Sequence, residues 1–127
     1  MPPPSRPLLL RIDHVLLAMP AGGETRARGF YCLLLGMREL EKPQNLAERG
    51  GCWFSNGAVD IHLGVEPDFS PARKAHPAFR VSAIKKLAAE LHAAGHSVGW
   101  DTSIASLDRF FTNDPFGNRI EFIAEQD

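Results

Sequence analysis

A correspondence between the two halves of the chain limits its fold more than any other property. Ile12-Asp13-His14-Val15-Leu16-Leu17 and His76-Pro77-Ala78-Phe79-Arg80-Val81 each read as a short strand bearing a histidine. An amphipathic segment follows each, Glu24 to Leu35 and Ile84 to Ala94. Ala27, Phe30, Tyr31 and Leu34 share one helical face, as do Ile84, Leu87, Ala88 and Leu91. Gly36 and Gly95 stand where a left-handed residue closes a helix. Trp53-Phe54-Ser55-Asn56 then corresponds to Phe110-Phe111-Thr112-Asn113. Beyond a turn, Ile61-His62-Leu63-Gly64-Val65-Glu66 corresponds to Ile120-Glu121-Phe122-Ile123-Ala124-Glu125. Chance likeness between short strands is the competing explanation, but these features recur in one order. The reading is an α+β fold of two βαβββ modules. Module one covers about 8–66, a proline-containing linker 67–74, and module two about 75–125, all in a single domain of 8–127.

A chain of 127 residues suits one such domain. Apolar residues make up 44% and charged residues 23%, an ordinary globular balance; a dimer would bury more of the core. A formal charge of −1 gives no footprint for nucleic acid or an anionic membrane surface. No apolar run approaches bilayer length. Cys32 and Cys52 make no disulfide framework, so a reducing cytoplasm is the simpler expectation. Residues 1–7, rich in proline, read as a loose, disordered arm rather than a signal peptide.

Alternation along the strands says where polar residues point, since successive side chains face opposite sides. Ile61, Leu63 and Val65 oppose Asp60, His62, Gly64 and Glu66. Phe79 and Val81 oppose His76, Ala78 and Arg80; Ile120, Phe122 and Ala124 oppose Arg119, Glu121 and Ile123. With the apolar faces under the helices, His62, His76 and Glu121 point away from them, toward a shared concavity. His14 joins them through the repeat, although Ile12 and Leu16 flank it on its own face.

Imidazole and carboxylate donors suit a borderline divalent ion, and two histidines with one carboxylate leave positions open for chemistry. A lone strand histidine more often packs or faces solvent. The repeat and the alternation together favour His14, His76 and Glu121 as ligands, with His62 either a fourth ligand or a supporting partner. His92 and His96 belong to the second helix and its exit, where solvation is expected. Arg80 shares the His76 face and could meet an anionic substrate group, or simply reach solvent. Trp53, Trp100, Phe110 and Phe116 are pocket-lining candidates whose plainer role is core packing. Cys52 reads as packing, and Gly22-Gly23 and Gly50-Gly51 as loops rather than phosphate cradles.

Five elements carry a family resemblance: Ile12-Asp13-His14-Val15, Phe30 through Met37 with its Leu35-Gly36-Met37 end, Ile61-His62-Leu63, His76 through Val81, and Asp114-Pro115-Phe116-Gly117-Asn118-Arg119-Ile120-Glu121. Together they resemble the vicinal oxygen chelate superfamily. That group holds glyoxalase I, extradiol dioxygenases, fosfomycin-resistance transferases, methylmalonyl-CoA epimerase and bleomycin-resistance binding proteins. The resemblance implies paired modules forming a cupped sheet, usually in a homodimer, around a divalent ion (Fe, Mn, Ni, Co or Zn). His14, His76 and Glu121 match the first-, fifth- and last-strand ligands. Position 62 matches the place where glyoxalase I carries an acidic or amide ligand, and histidine there departs from that pattern. No cluster of basic and hydroxyl residues, as expected around a phosphonate, is visible.

The implied function is a metal-dependent, lyase- or isomerase-like enzyme acting on a small oxygen-chelating substrate through an enolate-type intermediate. Glu121 would move the proton, with Arg80, Trp53 and Phe110 against the substrate. The alternatives are a sequestering protein of the bleomycin-resistance kind, without chemistry, and a dioxygenase-like use of iron.

Overall fold

Two strands that run parallel cannot be joined by a tight turn, and the long helical segments lie where such crossovers are needed. In the computed structural model, which describes residues 1 and 6–126, the first sheet has the order β1-β4-β3-β2. Its strands are β1 (Val15–Met19), β2 (Arg38–Leu40), β3 (Cys52–Ser55) and β4 (Asp60–Val65). The second sheet repeats it as β5-β8-β7-β6, from β5 (Ala78–Val81), β6 (Gly99–Trp100), β7 (Arg109–Asn113) and β8 (Arg119–Ala124). β1 is parallel to β4, as β5 is to β8, and the remaining pairs are antiparallel. The βαβββ repeat is therefore present in both halves. Residues 2–5 of the expected arm lie outside the described residues.

The crossover in the first module is α1 (Glu24–Arg28), which continues as a π-helical stretch over Gly29–Leu34; in the second it is α3 (Ile84–Ala93). The apolar spacing predicts one uniform helix over Glu24 to Leu35, and the structure instead widens its second half. The wider turn appears as a hydrogen bond from Leu35 N to Phe30 O, and Gly36 then ends it at φ 74°. The short strands β2 and β6 and the single turn α2 (Gln44–Ala47) had no separate sequence signal. Both histidine-bearing strands begin later than expected. β4 starts at Asp60 and pairs Val15 with Ile61, so residues 12–14 have no partner strand. His76 likewise precedes β5, although Glu121 N still donates to Pro77 O.

The predicted apolar faces do face inward. Ile61, Leu63, Ile120 and Phe122 are buried, with Ala27, Phe30 and Tyr31 from the first crossover and Ile84, Ala88 and Leu91 from α3 in the same cluster. One core thus serves both sheets on their helix sides. No described helix is long and apolar enough to cross a membrane.

The turn Asp114–Asn118 ties the modules together. The buried Asp114 carboxylate accepts hydrogen bonds from Tyr31 OH (2.8 Å), Phe116 N (2.9 Å), Asn118 N (2.9 Å) and Asn118 Nδ2 (3.0 Å). Asn118 Nδ2 also donates to Ala18 O of β1 at 2.8 Å. Burial beside that carboxylate pushes the Tyr31 phenol well above its usual range.

Candidate functional site

Because the helix sides meet in the core, the polar faces of the two sheets turn outward. On the first, His14 stacks on His62 at 4.0 Å between ring centroids, and His62 stacks on Trp53 at 4.1 Å. The register explains this layer: Trp53 opposes His62 across β3 and β4, and Leu16 opposes His62 across β1 and β4. Asp13 Oδ2 accepts from His14 Nδ1 at 2.9 Å, which holds the Asp13 carboxyl below its usual value. Burial, then the neighbouring His14, lowers the His62 pKa.

The second face carries His76 and Glu121. His76 Nε2 lies 3.0 Å from Glu121 Oε1, while the other oxygen, Oε2, accepts from Arg109 at 3.1 Å. Glu121 is 5% exposed, so this carboxylate is held in place rather than solvated. That hydrogen bond keeps the Arg109 guanidinium above its ordinary pKa. Phe111 meets the His76 ring edge-on at 5.2 Å, with its register partner Glu121 beside it.

The fold therefore gathers the four predicted ligands as two pairs, His14 with His62 and His76 with Glu121. Among the described residues, no group of three or more His, Cys, Asp or Glu side chains is placed to hold a metal ion. The donor chemistry of His76, Glu121 and His14 nevertheless fits one. A carbonyl can only accept, so the 2.9 Å contact of His76 Nδ1 with Lys74 O puts a proton on Nδ1. Nε2 is then the nitrogen that faces the Glu121 carboxylate, an arrangement that needs a proton or a metal cation between them. His14, its Nδ1 bonded to Asp13, likewise leaves Nε2 free, as metal-bound histidines do.

Several expectations need correction. Phe110 is fully buried and packs on Phe122 at 5.5 Å, because alternation along β7 turns it to the core. Its neighbour Phe111 takes the site face instead. Arg80 is exposed and donates to Ala124 O at 2.9 Å, which turns its guanidinium to the strand end rather than to an anionic substrate group. Arg109 is the arginine on the carboxylate, and the alternation Arg109, Phe111, Asn113 opposite Glu121 was the signal that identifies it. His96 is not simply solvated: it packs on Phe30 at 4.8 Å and its Nδ1 contacts Asn113 O. Cys52 is buried as expected, and burial raises its thiol pKa to about 11. An apolar crevice bounded by Leu34, Phe79, Leu87 and Phe122 lies on the helix side, away from either pair.

The family model of the Glyoxalase/Bleomycin resistance protein/Dioxygenase superfamily matches residues 11–122. A glyoxalase family protein from Bacillus anthracis superimposes with a TM-score of 0.89 at 47% identity, over 95% of this chain and 99% of that one. The fosfomycin resistance protein FosX from Listeria monocytogenes gives a TM-score of 0.75 at 11% identity, over 94% and 96%. A glyoxalase/dioxygenase from Nostoc punctiforme gives 0.72 at 20% identity, over 100% and 99%. These last two show likeness of fold alone. No curated protein matches.

Proposed function

Because the chain belongs to the glyoxalase/bleomycin resistance protein/dioxygenase superfamily, we propose that it is a metal-dependent, glyoxalase-like enzyme acting on a small substrate with two neighbouring oxygens. The observation that carries the reading is the facing of His76 Nε2 and Glu121 Oε1 at 3.0 Å, with Nδ1 already committed to Lys74 O. His14, His62, His76 and Glu121 would hold the ion. A divalent ion there supplies Lewis acidity toward substrate oxygens. Arg109 holds Glu121 Oε2, leaving Oε1 as the atom that takes a proton from the substrate. Glu121 would thus combine the roles of ligand and base. Phe111 and Trp53 give the substrate apolar walls on either half-site.

We place the complete site between two copies of the chain, each contributing one pair. Leu8, Leu9, Leu10, Ile12 and Leu16 support this: all are more than 60% exposed and lie along the segment that carries His14. Exposed apolar runs of this kind mark surfaces that a partner covers. Elemental analysis of the purified protein tests the reading. A divalent ion is expected in stoichiometric amount and lost in His76→Ala; no uptake, or uptake unchanged by that substitution, overturns it.

The layered Trp53, His62 and His14 rings favour a second reading, a binding protein that stacks a flat ligand without chemistry. Quenching of Trp53 fluorescence by ligand would then survive a chelator. Loss of all binding on metal removal counts against it.

A further inference from the structure

No basic and hydroxyl cluster shows in the sequence, yet the fold assembles one that shares Phe111 with the His76 and Glu121 pair. An open cavity of about 360 Å³ has Arg73, Ser97, Gly99, Phe111, Asn113 and Arg119 among its walls. Arg73 comes from the linker between modules, and Arg119 opens β8. Their proximity is built by the backbone. Arg119 N donates to Ala72 O at 2.9 Å, and Ala72 N donates to Asn118 Oδ1 at 3.1 Å across 46 residues of sequence. Asn118 is 1% exposed, so this anchor is part of the core. Gly117 lets Pro71 lie close; a β-carbon at position 117 would stand 3.3 Å from the Pro71 ring.

The cavity's charge is uncompensated. Arg109 has Glu121 and Asp101 as partners. Among the described residues, neither Arg73 nor Arg119 has a carboxylate within ion-pair distance, and no Asp or Glu lines the cavity. Arg119 instead lies over the Phe111 ring, 4.0 Å from its centroid, which orients the guanidinium without neutralising it. Ser97 Oγ accepts from Asn113 Nδ2 at 3.2 Å, so its own proton is free to be donated. Opposite Phe111, Gly99 adds no side chain to the space.

We propose that this cavity binds an oxyanion group, phosphate or carboxylate, on the small molecule whose reacting end lies at His76 and Glu121. Arg73 and Arg119 supply the charge and forked donors that suit such a group, Ser97 adds a neutral donor, and Phe111 joins the cavity to the His76 ring. Only the identity of the ligand as substrate rests on the enzymatic reading. Anion capture does not.

The test uses chelator-treated full-length protein titrated with inorganic phosphate and, separately, with acetate, following the amide signals of Gly99 and Gly117 by NMR. Saturable shifts are expected, with affinity about tenfold weaker in Arg119→Gln and in the more exposed Arg73→Gln, the loss of one charge-assisted contact. Arg80→Gln, bonded away at Ala124, should leave affinity unchanged. Tighter phosphate binding assigns a phosphate-bearing ligand and tighter acetate binding a carboxylate; either upholds the proposal. Absence of saturation with both anions, or equal affinity in both arginine variants and wild type, overturns it. If anions bind but no metal does, the enzymatic reading falls and this site stands; metal uptake without anion binding gives the reverse.

Discussion

Gly51 shows what a single missing side chain can be required for. Its φ is 84°, and a β-carbon there would sit 2.1 Å from Leu63 O, a backbone atom of β4 that cannot step aside. Its N–H also donates to Glu24 Oε2 at 2.8 Å. Gly51→Ala should cost about 2–4 kcal/mol, seen as a lower urea midpoint with an unchanged slope. Gly57 is the control: φ is 91° but nothing lies within 4 Å of a β-carbon, so Gly57→Ala should cost only about 1–2 kcal/mol of backbone strain. Equal effects at the two positions would remove steric contact as the cause. Cys52 and Tyr31 make a prediction about pH. Burial raises the Cys52 pKa from 9.0 to about 11 and lifts Tyr31 above its ordinary 10.0. Below pH 9 both groups are protonated, folded or unfolded, and the benefit of burial is fully present. As pH rises from 9, the unfolded chain sheds these protons first, so stability falls, and for Cys52 the loss is complete by about 11. The thiol's part is on the order of 2–3 kcal/mol. Cys52→Ala should flatten the decline in urea midpoint between pH 9 and 11; a parallel curve sinks the assignment.

Among the elements, the turn Asp114–Asn118 is both the most specific motif in the sequence and a structural joint. Its carboxylate gathers donors from Tyr31, Phe116 and Asn118, and Asn118 reaches β1. Tyr31→Phe removes one of those bonds and should cost about 1–2 kcal/mol. Asp114→Ala strands several buried donors at once and should cost about 3–5 kcal/mol or prevent folding. Thermal unfolding of the two variants would show the order, and a larger effect for Tyr31→Phe contradicts it. The repeat, the inward faces of β4 and β8, and the glycine that ends the first crossover were legible because each depends on neighbours two to four residues apart. β2 and β6 were not, since strands of three and two residues take their form from the partners β3 and β7. The same alternation that placed Glu121 could have placed Arg109 and Phe111, but the paired phenylalanines hid which one was inward. The linker was least legible of all. Arg73 acquires meaning only through Asn118, far along the chain.

At the scale of the whole molecule, the decisive fact is that the two helical layers share one core and so direct the two polar faces outward. Alternation separated the polar faces from the core faces within each sheet. It carried no information on how the sheets meet, because either side-by-side or inverted packing buries the same apolar faces. The proposed joining of half-sites between two copies makes a prediction about mixtures. His14→Ala and His76→Ala should each lose metal uptake as pure proteins. In a heterodimer of the two, one junction contains both substitutions, while the other joins an intact first half-site to an intact second one. Random re-pairing puts about half the molecules in heterodimers, so about a quarter of wild-type sites should return on mixing, unfolding and refolding together. Metal content measured after gel filtration reads this directly. If each chain instead closed its own site, every chain would still carry one broken pair, and the mixture would bind no more metal than its components.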